Sequence, residues 1–289
     1  MKNFLTKKDA INIFALAVFL PTAVLLTATA FGADKWLALV ITQICAVGAV
    51  AAFFYFQKIN VKEIHGLTKP PKSLKVLLIA VLSLSLILFV NPVQNWFTQL
   101  LELLGYTPLE SAFDIAAMGG GELCLAVIFI CITPALWEEF VFRGVVLEGC
   151  RTKKMDFKAI FFAAALFMLL HMSVEQVIHP LLMGVVLGVI YCATNSLWNA
   201  VLLHFFNNLF IVILSAVQAV GDFVTSSWWL MFPALIIAAA ILFYIWKKRD
   251  DSEYLLPEEK IKKTFGFPLV FLVSIAFCVV MIAYGAAGS

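Results

Sequence analysis

Ala135-Leu136-Trp137-Glu138-Glu139-Phe140-Val141-Phe142-Arg143 sets two adjacent carboxylates and a guanidinium inside an apolar run from residue 122 to residue 150. At bilayer depth each such charge costs about 3 kcal/mol even on lenient insertion scales. A chain that keeps all three pairs them, turns them toward a wet cavity, or uses them in chemistry. The stretch therefore marks a membrane interior and the place to look for function.

The same character extends on both sides. Of 289 residues, 63% are hydrophobic, 13% are charged and 27 are Phe, and the mean hydropathy is +1.00. A soluble domain carries about 25% charged residues. Fold class follows: an all-α, polytopic helical membrane protein with about nine transmembrane helices around a polar cavity. Continuous apolar runs of about 20 residues exclude a β-barrel, whose strands are short and alternate. The spans are expected at 11–31, 36–56, 75–91, 122–150, 158–173, 178–194, 197–219, 227–246 and 267–286. They divide into N-terminal helices with an interfacial segment (1–119), a core (120–219) and C-terminal helices (220–289).

Basic residues fix the expected orientation. Lys58, Lys62, Lys69, Lys72 and Lys75 follow the second span. Arg151, Lys153, Lys154 and Lys158 follow the fourth, and Lys247, Lys248, Arg249, Lys260, Lys262 and Lys263 the eighth. All fall on one side if the N-terminus is cytoplasmic, which puts the C-terminus outside. The opposite loop, 101–122, holds Glu102, Glu110, Asp114 and Glu122 and no Lys or Arg. Asn91-Pro92 is expected to end the third span. Trp96, Leu100, Leu101 and Leu104 would then lie on an interfacial helix. Pro134 removes a backbone donor one turn before the carboxylates and is expected to kink the fourth span. The six cysteines have no disulfide or zinc-knuckle spacing and read as free thiols. Gly184-xxx-Gly188 is a small-residue face that lets a neighbouring helix approach.

Three polar clusters carry the chemistry. Glu139 and Arg143 share a helix face and can pair. Glu138 points about 100° away and is left for another partner. A carboxylate in an apolar cavity holds its proton more tightly than one in water, which suits a general base or acid. His171 lies in the fifth span, one turn after Phe167. His204 and Asn208 point the same way from the seventh, and two convergent donors suit an oxyanion hole. Asn207 points elsewhere and reads as a packing residue. His65 and His179 fall in expected loops and read as non-catalytic. H-E-x-x-H and G-x-S-x-G are absent, as are phosphate loops and basic-aromatic nucleic-acid surfaces.

Glu138-Glu139-xxx-Arg143, Phe167-xxx-His171 and His204-xxx-Asn208, in that order over residues 120–212, resemble the CPBP family of CAAX proteases and bacteriocin-processing (Abi) enzymes. The stretch Gly184-xxx-Gly188-xx-Tyr191-xx-Thr194-Asn195-Ser196-Leu197-Trp198 is similar too. The resemblance implies an intramembrane endopeptidase. Glu138 would activate a water with help from His171. His204 and Asn208 would hold the oxyanion, and Glu139 and Arg143 would orient the site. It implies a peptide or membrane-protein substrate, lipidated in some members; the sequence shows no organelle signal, so a prokaryotic plasma membrane is the expected location. No cofactor is expected. A zinc ion held by Glu138, His171 and His204 is the alternative. A non-proteolytic scaffold, an immunity or regulatory protein, or a proton-coupled transporter is the competing class. Glu138→Gln separates them, because it abolishes proteolysis and leaves a scaffold intact.

Overall fold

The computed structural model describes residues 5–60, 67, 73–107, 113–249 and 269–287. The regular elements among them are helical: α1 (Lys7–Ala30), α2 (Lys35–Phe56), α3 (Ser73–Leu103), α4 (Gly120–Cys150), α5 (Phe157–Leu170), α6 (Ile178–Thr194), α7 (Leu197–Ala216), α8 (Gln218–Ser226), α9 (Met231–Lys247) and α10 (Leu269–Ala287). Each of the nine expected spans has its helix, and α8 is a short addition. Among the described residues, six helices are long and apolar enough to cross a membrane, while α5 and α6 are apolar but shorter. His65 and the lysines at 62, 69, 72, 260, 262 and 263 lie outside the described residues, as does Glu110.

Local chemistry sets the helix starts. Thr6 and Asp9 form a reciprocal capping box on α1, with Asp9 accepting from the Thr6 backbone at 2.9 Å. Asp34 accepts from the Trp36 and Leu37 amides at the head of α2, and Asp156 from Ala159 at the head of α5. The helices then pair by sequence neighbourhood. α1 packs on α2 and α5 on α6, while α3 lies against α7 and α9. α4 runs through the middle, and Val141, Phe142, Val145, Val146 and Leu147 on it are fully buried. The small face of α6 does what its spacing predicts. A Cβ on Gly184 would stand 2.9 Å from Ala164 Cα, and one on Gly188 2.8 Å from Ile160 Cγ2. Only glycine permits this approach of α5 to α6.

Three expectations need correction. α3 continues unbroken past Asn91 and Pro92 to Leu103, so no separate interfacial helix follows. A proline removes one backbone donor, and the apolar run on both sides keeps the helix going. Around Pro134 the helix α4 runs on, with π-helical turns over Val127–Ile132 and Phe140–Leu147 flanking the α-helical Thr133–Glu139. α5 ends at Leu170, so His171 caps the helix rather than lying inside it, and Met172 follows at φ 48°. His179 is in the first turn of α6, not in a loop. The intervening loop is tied from α3 and just beyond it. Gln94 donates to the Glu175 carbonyl, and the Tyr106 hydroxyl to the Glu175 carboxylate at 2.6 Å.

Arg151 had been counted with the loop lysines. It is buried, ion-paired with Glu148, and lies 5.4 Å over the Tyr191 ring. Tyr191 donates to the same Glu148 carboxylate at 2.6 Å. This pins the end of α4 to the end of α6 and takes Arg151 out of contact with the membrane surface.

Candidate active site

Glu139 Oε1 receives Arg143 Nη1 at 2.6 Å and His204 Nδ1 at 2.9 Å. Arg143 also donates to the Gly184 carbonyl at 3.0 Å, and its guanidinium lies 4.8 Å over the Phe167 ring. The i,i+4 pair is therefore formed, and three further helices reach it. Phe167 stands between the two histidine rings, 4.9 Å from His171 and 5.6 Å from His204, edge-on to each. One aromatic thus spaces a guanidinium and two imidazoles.

Glu138 is left over, as its angular offset requires. Its Oε2 is buried and has no hydrogen-bond partner among the described residues, and His204 Nε2 lies 3.9 Å away. A cleft of about 170 Å³ opens onto Glu138 and His171 together. Thr42, from α2, lines the same cleft with a buried hydroxyl that has no partner among the described residues, a residue no motif pointed to. Trp137 forms the cleft's wall, held by a 2.8 Å bond from its indole to Gln43. Trp137 also lines an apolar groove of about 550 Å³ bounded by Phe54 and Phe140.

The acceptors fix the tautomers. His171 Nδ1 faces the Phe167 carbonyl at 2.9 Å, and a carbonyl only accepts. His204 Nδ1 faces a carboxylate already paired with arginine. Both rings therefore carry hydrogen on Nδ1, and when neutral they present a bare Nε2.

Asn208 behaves differently from a free donor. Its Nδ2 donates to the Ile130 carbonyl at 3.0 Å. In an α-helical register that carbonyl would receive the amide of residue 134, and Pro134 has none. Asn207 Nδ2 donates to Asn208 Oδ1 at 3.3 Å, and His179 Nε2 reaches Asn207 Oδ1 at 3.1 Å. With an obligatory acceptor at one end, the direction of the whole chain is set: His179 carries hydrogen on Nε2, the opposite of the other two rings. One Asn208 N–H is used by Ile130 and its second remains. His204 and Asn208 are thus on one helix face, as expected, but only part of each remains free. A helix-starting His-Pro is the signal that would have moved His179 out of a loop.

Among the described residues no three His, Cys, Asp or Glu side chains stand close enough to hold a metal ion. His171 Nε2 and His204 Nε2 are the nitrogens a metal would use, each ring being held by its other nitrogen. Glu139 is committed elsewhere.

Residues 120–210 match the family model of the type II CAAX prenyl endopeptidases described as Rce1-like. This core is similar to that family. The match begins at the head of α4 and ends within α7, so it spans the three polar clusters, while α1 and α2, outside it, supply Ala17, Pro21, Thr22, Leu25 and Thr42 to the cleft. The helices outside the Rce1-like segment supply Thr42, Gln43 and the tether on Glu175. No curated protein and no solved structure matches the chain significantly.

Proposed function

We propose that the chain is an intramembrane endopeptidase in which Glu138 is the general base. The observation that carries this reading is the orphaned Glu138 Oε2, buried in a cleft with His171 and 3.9 Å from His204 Nε2. A buried charged oxygen without a donor is costly in a resting protein and useful in one awaiting water. Polar groups more than 3.5 Å apart are commonly bridged by one water.

The reaction follows from the hydrogens. Glu138 takes a proton from water as its oxygen bonds to the peptide carbonyl carbon. His171, with Nε2 bare, orients that water and shares the proton. The developing oxyanion receives the free N–H of Asn208. Glu139 beneath His204 holds that ring with its Nε2 3.9 Å from Glu138 Oε2, where it accepts the water's other hydrogen. The C–N bond then breaks, and the proton on Glu138 passes to the leaving amine. Arg143 holds Glu139 in place and touches no reacting atom. The mechanism needs no metal. The apolar groove beside Trp137 supports a substrate with a lipid or apolar stretch next to the scissile bond.

The test uses the full chain in lipid nanodiscs with a prenylated tail peptide and an apolar membrane peptide as substrates. Wild type is expected to release product from one of them, and Glu138→Gln to lose at least about a hundredfold, the lower bound for removing a general base. Metal content is measured in the same preparation. Turnover by Glu138→Gln at the wild-type rate would sink the assignment. Stoichiometric zinc whose removal abolishes activity would replace the metal-free mechanism.

A further inference from the structure

A second cavity lies at the lysine-rich end of the bundle, away from Glu138. It measures about 320 Å³ and sits where the starts of α3 and α7 meet the ends of α6 and α9. Lys75 and Lys248 stand at its rim, with Tyr244 one turn before Lys248 on α9. One helical turn deeper come Leu78, Ile79 and Ile245. Asn199 forms part of its wall. This side chain is 1% exposed, and its Oδ1 has no hydrogen-bond partner among the described residues. The neighbouring Thr194 hydroxyl is already committed to the Ile190 carbonyl at 2.7 Å.

We propose that this cavity binds the headgroup of an anionic phospholipid that carries a free hydroxyl close to its phosphate. Two ammonium groups at one rim call for a phosphate. An ionised phosphate is all acceptor, and so cannot satisfy Asn199 Oδ1, which needs a donor. A hydroxyl on the same headgroup supplies it. An ammonium headgroup could donate too, but would meet two lysines of like charge. The ordering of the lining favours a lipid over a soluble phosphate ester. Charge at the rim and aliphatic side chains one turn deeper follow the profile from headgroup to glycerol backbone and acyl chain. Basic pockets between membrane helices bind anionic headgroups for this reason. The site is independent of the proposed proteolysis.

The experiment is native mass spectrometry of the full chain in detergent with phosphatidylglycerol, phosphatidic acid, phosphatidylcholine and soluble glycerol phosphate as probes. One phosphatidylglycerol should be retained in preference to phosphatidylcholine, and about fivefold over phosphatidic acid, the worth of one hydrogen bond. Lys75→Gln with Lys248→Gln should cut its retention roughly thirtyfold. Asn199→Leu should keep binding anionic lipid but lose the preference over phosphatidic acid. Glu138→Gln should bind as wild type, so a failed protease reading leaves this result untouched. Equal retention of phosphatidylcholine, or unchanged binding by the double lysine variant, overturns the proposal. Tighter binding of glycerol phosphate than of any lipid overturns the lipid assignment and makes the ligand a soluble ester. The double lysine change is at the rim and tests the proposal even if Asn199→Leu fails to fold.

Discussion

Glu139 is met by donors from two helices, and Glu138, its neighbour, by none. Spacing alone foretold both halves of that statement, because four residues return to the same helix face and one residue does not. Spacing could not foretell which histidine nitrogen faces the site, since that depends on acceptors supplied by other helices. Nor could it find His179, whose role exists only through Asn207 and Asn208. Its role is testable. His179→Phe removes the donor that orients Asn207, and with it the fixed orientation of the Asn208 amide. A lost hydrogen bond of about 1 kcal/mol predicts a fall of roughly fivefold in kcat with KM unchanged. His179→Gln, which keeps an N–H donor, should restore most of it. An equal loss from both variants, tracking a lower melting temperature, would mark His179 as merely structural.

At the level of elements, the helices were legible because each is a long apolar run, and their ends were less so. α5 stops at His171 and α3 passes through Pro92 for reasons of local backbone that hydropathy does not see. α4 is the instructive case. Thr133 Oγ1 joins its own backbone N–H on the Ile128 carbonyl at 2.8 Å, while Asn208 serves Ile130, so side chains supplement the ladder around Pro134. Single π turns inside α-helices recur at functional sites because they re-aim side chains. Pro134→Ala would return an amide to Ile130 and compete with Asn208 for it. The expected result is a lower kcat together with an unchanged or higher melting temperature, read by turnover and thermal unfolding of the same sample. A variant both less stable and fully active would show that the proline serves stability alone.

For the whole molecule, the count of spans was readable from composition, and the burial of Arg151 was not, because its partners Glu148 and Tyr191 lie on α4 and α6. Among the described residues, Lys7, Lys58, Lys153 and Lys154 lie at the same helix ends as Lys75 and Lys248, and Lys35 at the head of α2 lies at the other. Single cysteines placed at 153 and 248 in a cysteine-free chain should react with an impermeant reagent only from the cytoplasmic side. Labelling from opposite sides would break the topology. The shortness of α5 has a wider consequence. Its 14 residues span about 21 Å at helical rise, against a hydrocarbon core of about 30 Å. The tip that carries His171 therefore stops short of the far face, and the bilayer must thin or admit water to meet it. Hydrophobic mismatch would then hydrate the cleft, making lipid chain length a control on turnover. Reconstitution in short-chain lipids should raise the rate over long-chain lipids, and a rate indifferent to thickness would mean that water arrives by another route.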